Sequence, residues 1–152
     1  MTWTIETIRD GGVAPADVFR LYADPSTWSA WGHDAKWARA DGPLIEGGTV
    51  HVRAKYPMTY RCRISRLVDD RVLVLEVDPP QLHVVQTYAV EPTLDGVRVR
   101  HALEISGRLS GVLRVCGVPW FYQRLLDREV ERVIAMAATA RDGQAGESAR
   151  TG

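Results

Sequence analysis

Hydrophobic and polar positions alternate from the start of the chain, with Trp3, Ile5 and Thr7 on one parity and Thr4, Glu6 and Ile8 on the other. Alternation of this kind predicts a strand, and Gly11-Gly12 closes it. The period then lengthens. From Pro15 to Ala23, apolar residues stand at helical spacing with proline in the first turn, and Asp24-Pro25 stops the helix. Ser26 is placed to cap a second short helix carrying Trp28 and Trp31. Between 47 and 106 the pattern is strand after strand, over 48–56, 58–68, 71–77, 83–91 and 97–106. Turn chemistry separates them at Tyr56-Pro57, Asp69-Asp70, Asp78-Pro79-Pro80 and Asp95-Gly96.

After Gly107 the helical spacing returns through Leu109, Leu113, Cys116, Trp120, Leu126, Val130, Ile134 and Ala137. This predicts one long amphipathic helix, bent at Pro119, where the missing amide breaks the ladder. Gly117 and Pro119 would divide it, leaving Leu109 to Cys116 as a movable lid. From Arg141 onward nothing can be buried, so residues 141–152 are expected to form a disordered tail behind a single domain over 1–140.

Composition narrows the function. A chain of 152 residues, 45% hydrophobic and 25% charged, makes one globular domain with a real core. Nineteen basic and nineteen acidic residues sum to zero, which argues against a partner chosen by bulk charge, and no nucleic acid is expected. Lys36 and Lys55 are the only lysines, a bias typical of a GC-rich bacterial genome that carries no mechanism. Cys62 and Cys116 lack CxxC spacing, and His33, His51, His83 and His101 form no ligand cluster, so no metal is expected. No nucleotide or redox motif calls for a cofactor. The N-terminus lacks a signal peptide's basic start and apolar stretch, and no run approaches a membrane span, so a cytoplasmic protein with no membrane partner is expected.

A strand, a helix pair, meandering strands and a long final helix make an α+β plan, an antiparallel sheet curved around one helix. The segment Pro15-Ala16-Asp17-Val18-Phe19, then Ala23-Asp24-Pro25-Ser26-Thr27-Trp28, resembles the START-like helix-grip superfamily over about residues 1 to 140. So do the hairpin from Glu91-Pro92 to Asp95-Gly96-Val97-Arg98-Val99 and Ile105-Ser106-Gly107 before the last helix. The branch it is most similar to is that of polyketide cyclase/dehydrase-like proteins. The resemblance implies a cavity between helix and sheet. Members of the superfamily include cyclases, lipid carriers and ligand receptors, so it implies no single activity.

Strand parity, with the register of the third and fourth of these strands set by the resemblance, gives the concave face. Inward fall Val50, Val52, Ala54 and Tyr56; Met58, Tyr60, Cys62 and Ile64; Leu73, Leu75 and Val77; Val84, Gln86, Tyr88 and Val90; Val97, Val99, His101, Leu103 and Ile105. None is formally charged. Such a wall suits a neutral, hydrophobic, polyketide-like or aromatic ligand fixed by a few hydrogen bonds. The expected ligand-binding set is Trp28, Trp31, Tyr56, Tyr60, Gln86, Tyr88 and Val99, with Leu113 and Trp120 from the last helix. His101, the inward group that titrates near neutrality, is the candidate catalytic acid or base, with Gln86 expected across from it if Val90 pairs with Val97.

A lone histidine on an apolar strand face also reads as a structural residue, and Trp28 and Trp31 also read as a plug for the core. His33-Asp34 makes no reliable acid/base pair, because adjacent side chains diverge. Polyketide aromatases of the superfamily are held to use a cavity arginine, and none can be matched here. Arg53, Arg61, Arg63, Arg98 and Arg100 all fall on the outward parity with Lys55, as a solvated face or a dock for an acidic acyl carrier protein. Two functions stand open: a cofactor-independent cyclase or dehydratase, or a non-catalytic carrier or self-resistance protein with the same cavity. A module with a filled core is the third.

Overall fold

The computed structural model describes residues 1–32, 34–55 and 57–151. Strand β1 (Trp3–Gly11) leads into helix α1 (Pro15–Ala23), a 3-10 turn at Pro25–Thr27 and helix α2 (Trp28–Trp31). Six strands follow: β2 (Ala35–Ala40), β3 (Thr49–Ala54), β4 (Thr59–Val68), β5 (Val72–Val77), β6 (His83–Thr93) and β7 (Gly96–Ser106). Helices α3 (Ser110–Val115) and α4 (Val118–Arg150) end the chain. The strands form one seven-stranded antiparallel sheet in the order β1-β7-β6-β5-β4-β3-β2, so the first strand lies beside the last. With α4 laid along the concave face, this is the α+β helix-grip architecture.

Local chemistry explains most boundaries. Pro15 opens α1, whose buried side is Val18, Phe19 and Tyr22. Asp24, rather than the expected Ser26, does the capping that follows: its carboxylate accepts from the Ser26 amide at 3.0 Å. Strand β2 was not anticipated. Its alanines at 35, 38 and 40 contribute too little apolar contrast for alternation to show, yet it pairs with β3 from Ala35↔Ala54 to Ala40↔Val50.

The β6–β7 hairpin is tighter than expected. Thr93 pairs with Gly96, and Val90 pairs with Val99 instead of Val97. Gly96, at φ 153°, makes this turn possible, because a Cβ there would come within 2.2 Å of the Gly11 carbonyl oxygen. Pro92 is accommodated inside β6 because β5 begins only at Val72, opposite Ala89, so no neighbour strand asks for its missing amide.

At the C-terminal end the sequence predicts one bent helix, and the structure has two. Gly117, at φ 80°, breaks the chain between α3 and α4, and Pro119 starts α4 instead of bending it. Helix α4 then buries Leu126, Glu129, Val130, Val133 and Ala137 against the sheet. It continues to Arg150, although residues 141–150 are all exposed. These last turns, in the stretch expected as a tail, pack against no other element.

The inward parity is borne out. Every described residue of the expected concave list is buried or half-buried except Met58, which is 56% exposed because it precedes β4 in a loop. Two core clusters result. The larger runs from Val13 through Tyr22, Val50 and Val99 to Val133 and Ala137. The smaller gathers Trp3, Leu103, Ile105 and Leu126, with Leu82, Val84, Leu113, Val118 and Tyr122 packed around it.

Candidate functional site

At the smaller cluster the sheet stands away from the corner between α3 and α4 and leaves a cavity of about 780 Å3. Val77, Leu82, Val84, Leu103 and Ile105 make its sheet wall, and Leu113, Val118 and Tyr122 its helical wall. Pairing between β4 and β5 ends at Arg63↔Glu76, while β4 carries on toward Thr59 beside β3 alone. The two strands part there, and Thr59, Arg61 and Arg63 line the cavity on one side of the gap with Glu76 and Asp78 on the other.

Beside the cavity lies a small chamber of about 30 Å3, space for a water-sized group. Trp28, Trp31, Cys62, Leu75, Tyr88 and Glu129 wall it, and Asp34, Tyr60 and Gln86 line both spaces. The Tyr60 hydroxyl donates to Asp34 Oδ2 at 3.0 Å, and the Tyr88 hydroxyl donates to Gln86 Oε1 at 3.2 Å. Burial, with the Asp34 carboxylate second, pushes the Tyr60 phenol well above its ordinary value. The same two causes push the Cys62 thiol up to about 12, so it is a neutral wall group and no nucleophile. Glu129 is 2% exposed; after burial itself, its carboxylate is the next cause raising the phenols of Tyr22 and Tyr88.

The structure divides the expected site. Tyr60, Gln86 and Leu113 line the main cavity, and Trp28, Trp31 and Tyr88 line the chamber. Tyr56 lies outside the described residues, as does His33. Val99 is fully buried in the larger core. Trp120 is 65% exposed and faces outward beneath the Arg124 guanidinium, 4.1 Å from its ring centroid.

His101 lines neither space. It is fully buried, with its Nε2 2.7 Å from the Tyr22 hydroxyl and its ring among Tyr22, Trp31 and Tyr88. The two-residue difference in hairpin register sets Tyr88, not Gln86, across from it. The position assigned to a catalytic acid or base is therefore part of an aromatic core.

Sequence reasoning missed Tyr122 and Glu129, and it set Asp34 aside as an unreliable partner of His33 although the aspartate lines both spaces. Glu129 had a signal, since 126, 129, 130, 133 and 137 form one helical stripe and the glutamate sits inside it. Asp34 and Glu129, with Arg61, Arg63, Glu76 and Asp78 at the β4–β5 gap, give the walls formal charge that the inward strand residues alone do not suggest, and Arg61 and Arg63, expected to face only outward, line the cavity where the two strands part. The outward arginines are also less available than expected. Arg63 pairs with Glu76, Arg98 with Asp10 at 2.9 Å and Arg100 with Glu6 at 2.8 Å, the last two through carboxylates that β1 brings alongside β7. Among the described residues, no three histidine, cysteine or acidic side chains gather as a metal site.

A family model described as polyketide cyclase / dehydrase and lipid transport matches residues 2–141. No curated protein matches the sequence. Among solved structures, the chain is similar to the di-domain ARO/CYC StfQ from the steffimycin biosynthetic pathway, with TM-score 0.71 and 13% identity over 95% of this chain and 52% of that one. It is similar to a point mutant of norcoclaurine synthase from Thalictrum, with TM-score 0.70 and 11% identity over 93% and 97% of the two chains. Protein MLL2253 from Mesorhizobium loti matches with TM-score 0.68 and 17% identity over 90% and 98%. At these identities the likeness is one of fold.

Proposed function

The chain belongs to the polyketide cyclase / dehydrase and lipid transport family, and from that premise we propose that it binds a largely hydrophobic, polyketide-like or aromatic small molecule in the cavity beside α3 and α4. One observation carries this reading: a space of about 780 Å3 lies between the helices and the sheet, with an apolar wall of Val77, Leu82, Val84, Leu103, Ile105, Leu113 and Val118, polar groups from Asp34, Tyr60 and Gln86 at one end, and the charged pairs of the β4–β5 gap, Arg61, Arg63, Glu76 and Asp78, along one side. Pockets for small molecules have this size and combine an apolar wall with polar groups that fix orientation. Ring systems would lie against Val84, Leu103, Ile105 and Leu113, and a carbonyl or hydroxyl would meet the polar groups at the neck.

Binding without chemistry is the reading that the wall supports best. The histidine is out of reach, and the thiol and the phenols are held neutral by burial. The test is binding of a hydroxylated anthraquinone to the parent and to Val84→Phe, which adds volume to the wall of the cavity without emptying the core. The expected result is a ligand-dependent rise in Tm for the parent by mass action, and affinity lowered at least about tenfold in the variant, roughly the loss that clashing bulk imposes. Equal affinity in parent and variant, or no Tm shift with any anthraquinone or naphthol, overturns the reading.

A second reading is favoured by the Asp34–Tyr60 hydrogen bond. With the Tyr60 hydroxyl turned from Asp34 to a ligand carbonyl oxygen, the freed carboxylate can take a proton from the carbon next to that carbonyl, and the carboxyl so formed can return the proton to a departing hydroxyl, which leaves as water, the chemistry of aldol cyclisation and dehydration. Asp34→Asn would then lower turnover of a linear poly-β-ketone thioester by about 10² to 10⁴ with binding retained. No turnover by the parent leaves the binder alone.

A further inference from the structure

We propose that the outer surface of the α3–α4 corner docks on an anionic lipid bilayer. The corner holds five of the eleven exposed large hydrophobic side chains among the described residues. Val115 is 89% exposed, Trp120 65%, Val112 56%, Phe121 52% and Leu109 38%. Solvated domains expose large apolar side chains singly, whereas five within thirteen residues make a patch that calls for a covering surface. Tryptophan and phenylalanine at such a corner suit the headgroup boundary, where flat rings bury an apolar body.

Charge selects the occupant. From Ile105 to Leu126 the chain carries Arg108, Arg114 and Arg124, all exposed, and no aspartate or glutamate. The loop on which α3 rests, where the Leu109 amide donates to the Gln81 carbonyl, brings in one acidic side chain, Asp78, hydrogen-bonded to the His83 ring at 2.6 Å, against the three arginines. Arg124 lies across the Trp120 ring, so apolar and cationic groups alternate on one face, the pattern of a helix lying in an anionic interface. A second copy of the chain fits poorly, because a symmetric contact would set the three arginines against the same three. Spanning is not required. No helix among the described residues is long and apolar enough to cross a membrane, and the expectation of no membrane partner follows from that lack of a span, which surface docking does not need.

The same elements face inward with Leu113, Val118 and Tyr122, so the bilayer and the cavity would lie on two sides of one thin wall. The anchoring of α3 is slight. Ser110 is its only buried residue, its hydroxyl against the Gly107 and Met1 carbonyls and its own carbonyl accepting from the Trp3 indole. The docking is argued from the outer surface alone and does not depend on what the cavity holds.

The experiment is sedimentation with vesicles of phosphatidylcholine containing about 30% phosphatidylglycerol, against pure phosphatidylcholine vesicles, with indole emission recorded alongside. Among the described residues Trp120 is the exposed tryptophan, with Trp37 half-buried away from the corner in β2, so binding is expected to shift emission to the blue, and Trp120→Ala is expected to lose that shift. Each of Arg108→Gln, Arg114→Gln and Arg124→Gln is expected to weaken binding about fivefold, and salt to weaken it further. Phe121→Ser tests the apolar part and is expected to weaken binding about tenfold. Anthraquinone binding, read in the same variants without lipid, should stay as in the parent, which separates failure of docking from failure of the cavity reading. No association with the anionic vesicles, equal association with neutral ones, or self-association through Trp120 and Phe121 in their place overturns the proposal.

Discussion

Tyr22 is fully buried, and its hydroxyl sits 2.7 Å from His101 Nε2 in a place that water does not reach. Tyr22→Phe keeps the ring contacts and removes one side of that bond. It is expected to cost about 1 to 3 kcal/mol in urea denaturation, the usual cost of stranding a buried polar group, and to leave ligand affinity unchanged. Cys62 gives a pH prediction. Its folded value, pushed up to about 12 from an ordinary 9.0, means that the folded state holds a proton that the unfolded chain gives up. Stability from this group is complete below about pH 9 and is lost as pH rises toward 12, at up to about 1.4 kcal/mol per pH unit. The phenols of Tyr22, Tyr60 and Tyr88, all raised by burial, act in the same direction at higher pH. Urea midpoints measured from pH 8 to 11 should fall above about 9, less steeply in Cys62→Ala. At this scale parity made Tyr60, Gln86 and Leu75 legible as inward. Which inward residues meet a cavity and which meet a helix was not legible, because that depends on where α1 lands: Tyr22 covers His101, and nothing in the strand itself announces it.

Between α3 and α4 a single residue decides the geometry. A Cβ at Gly117 would meet nothing within 4 Å, so the cost of Gly117→Ala is conformational only, about 1 to 2 kcal/mol for a left-handed backbone, read as a lowered Tm. One buried residue in α3 against five in α4 also predicts unequal protection. Amide exchange should be faster over 110–115 than over 126–137; equal rates would mean that the corner moves only with the whole molecule. The break was half legible. Glycine and proline mark an interruption, but the same pair fits a kink or two helices, and only the positive φ at Gly117 separates them. Strand β2 was illegible for a different reason: a stretch of alanines is recruited by the edge that β3 offers, a tertiary cause with little local trace.

Across the whole molecule, the larger cluster is closed by α4 and the smaller one is left hollow. Removing residues 141–152, whose described part buries nothing, is expected to leave Tm within about 2 °C of the full chain; a larger drop would give the last turns of α4 a structural role. Architecture was the most legible level, since strand count after residue 47, turn chemistry and the final helical stripe all agree, and agreement across levels specifies a fold. The pairing of β1 with β7 has a consequence in time. Trp3 must wait for Ile105 and Gly11 for Val97, a gap on the order of 90 to 100 residues. At roughly 5 to 20 residues per second, a ribosome holds the first strand unpartnered for about 5 to 20 s. During that interval Trp3, Ile5 and Ile8 are open to any passing strand edge, and the nascent chain is at its most dependent on chaperones.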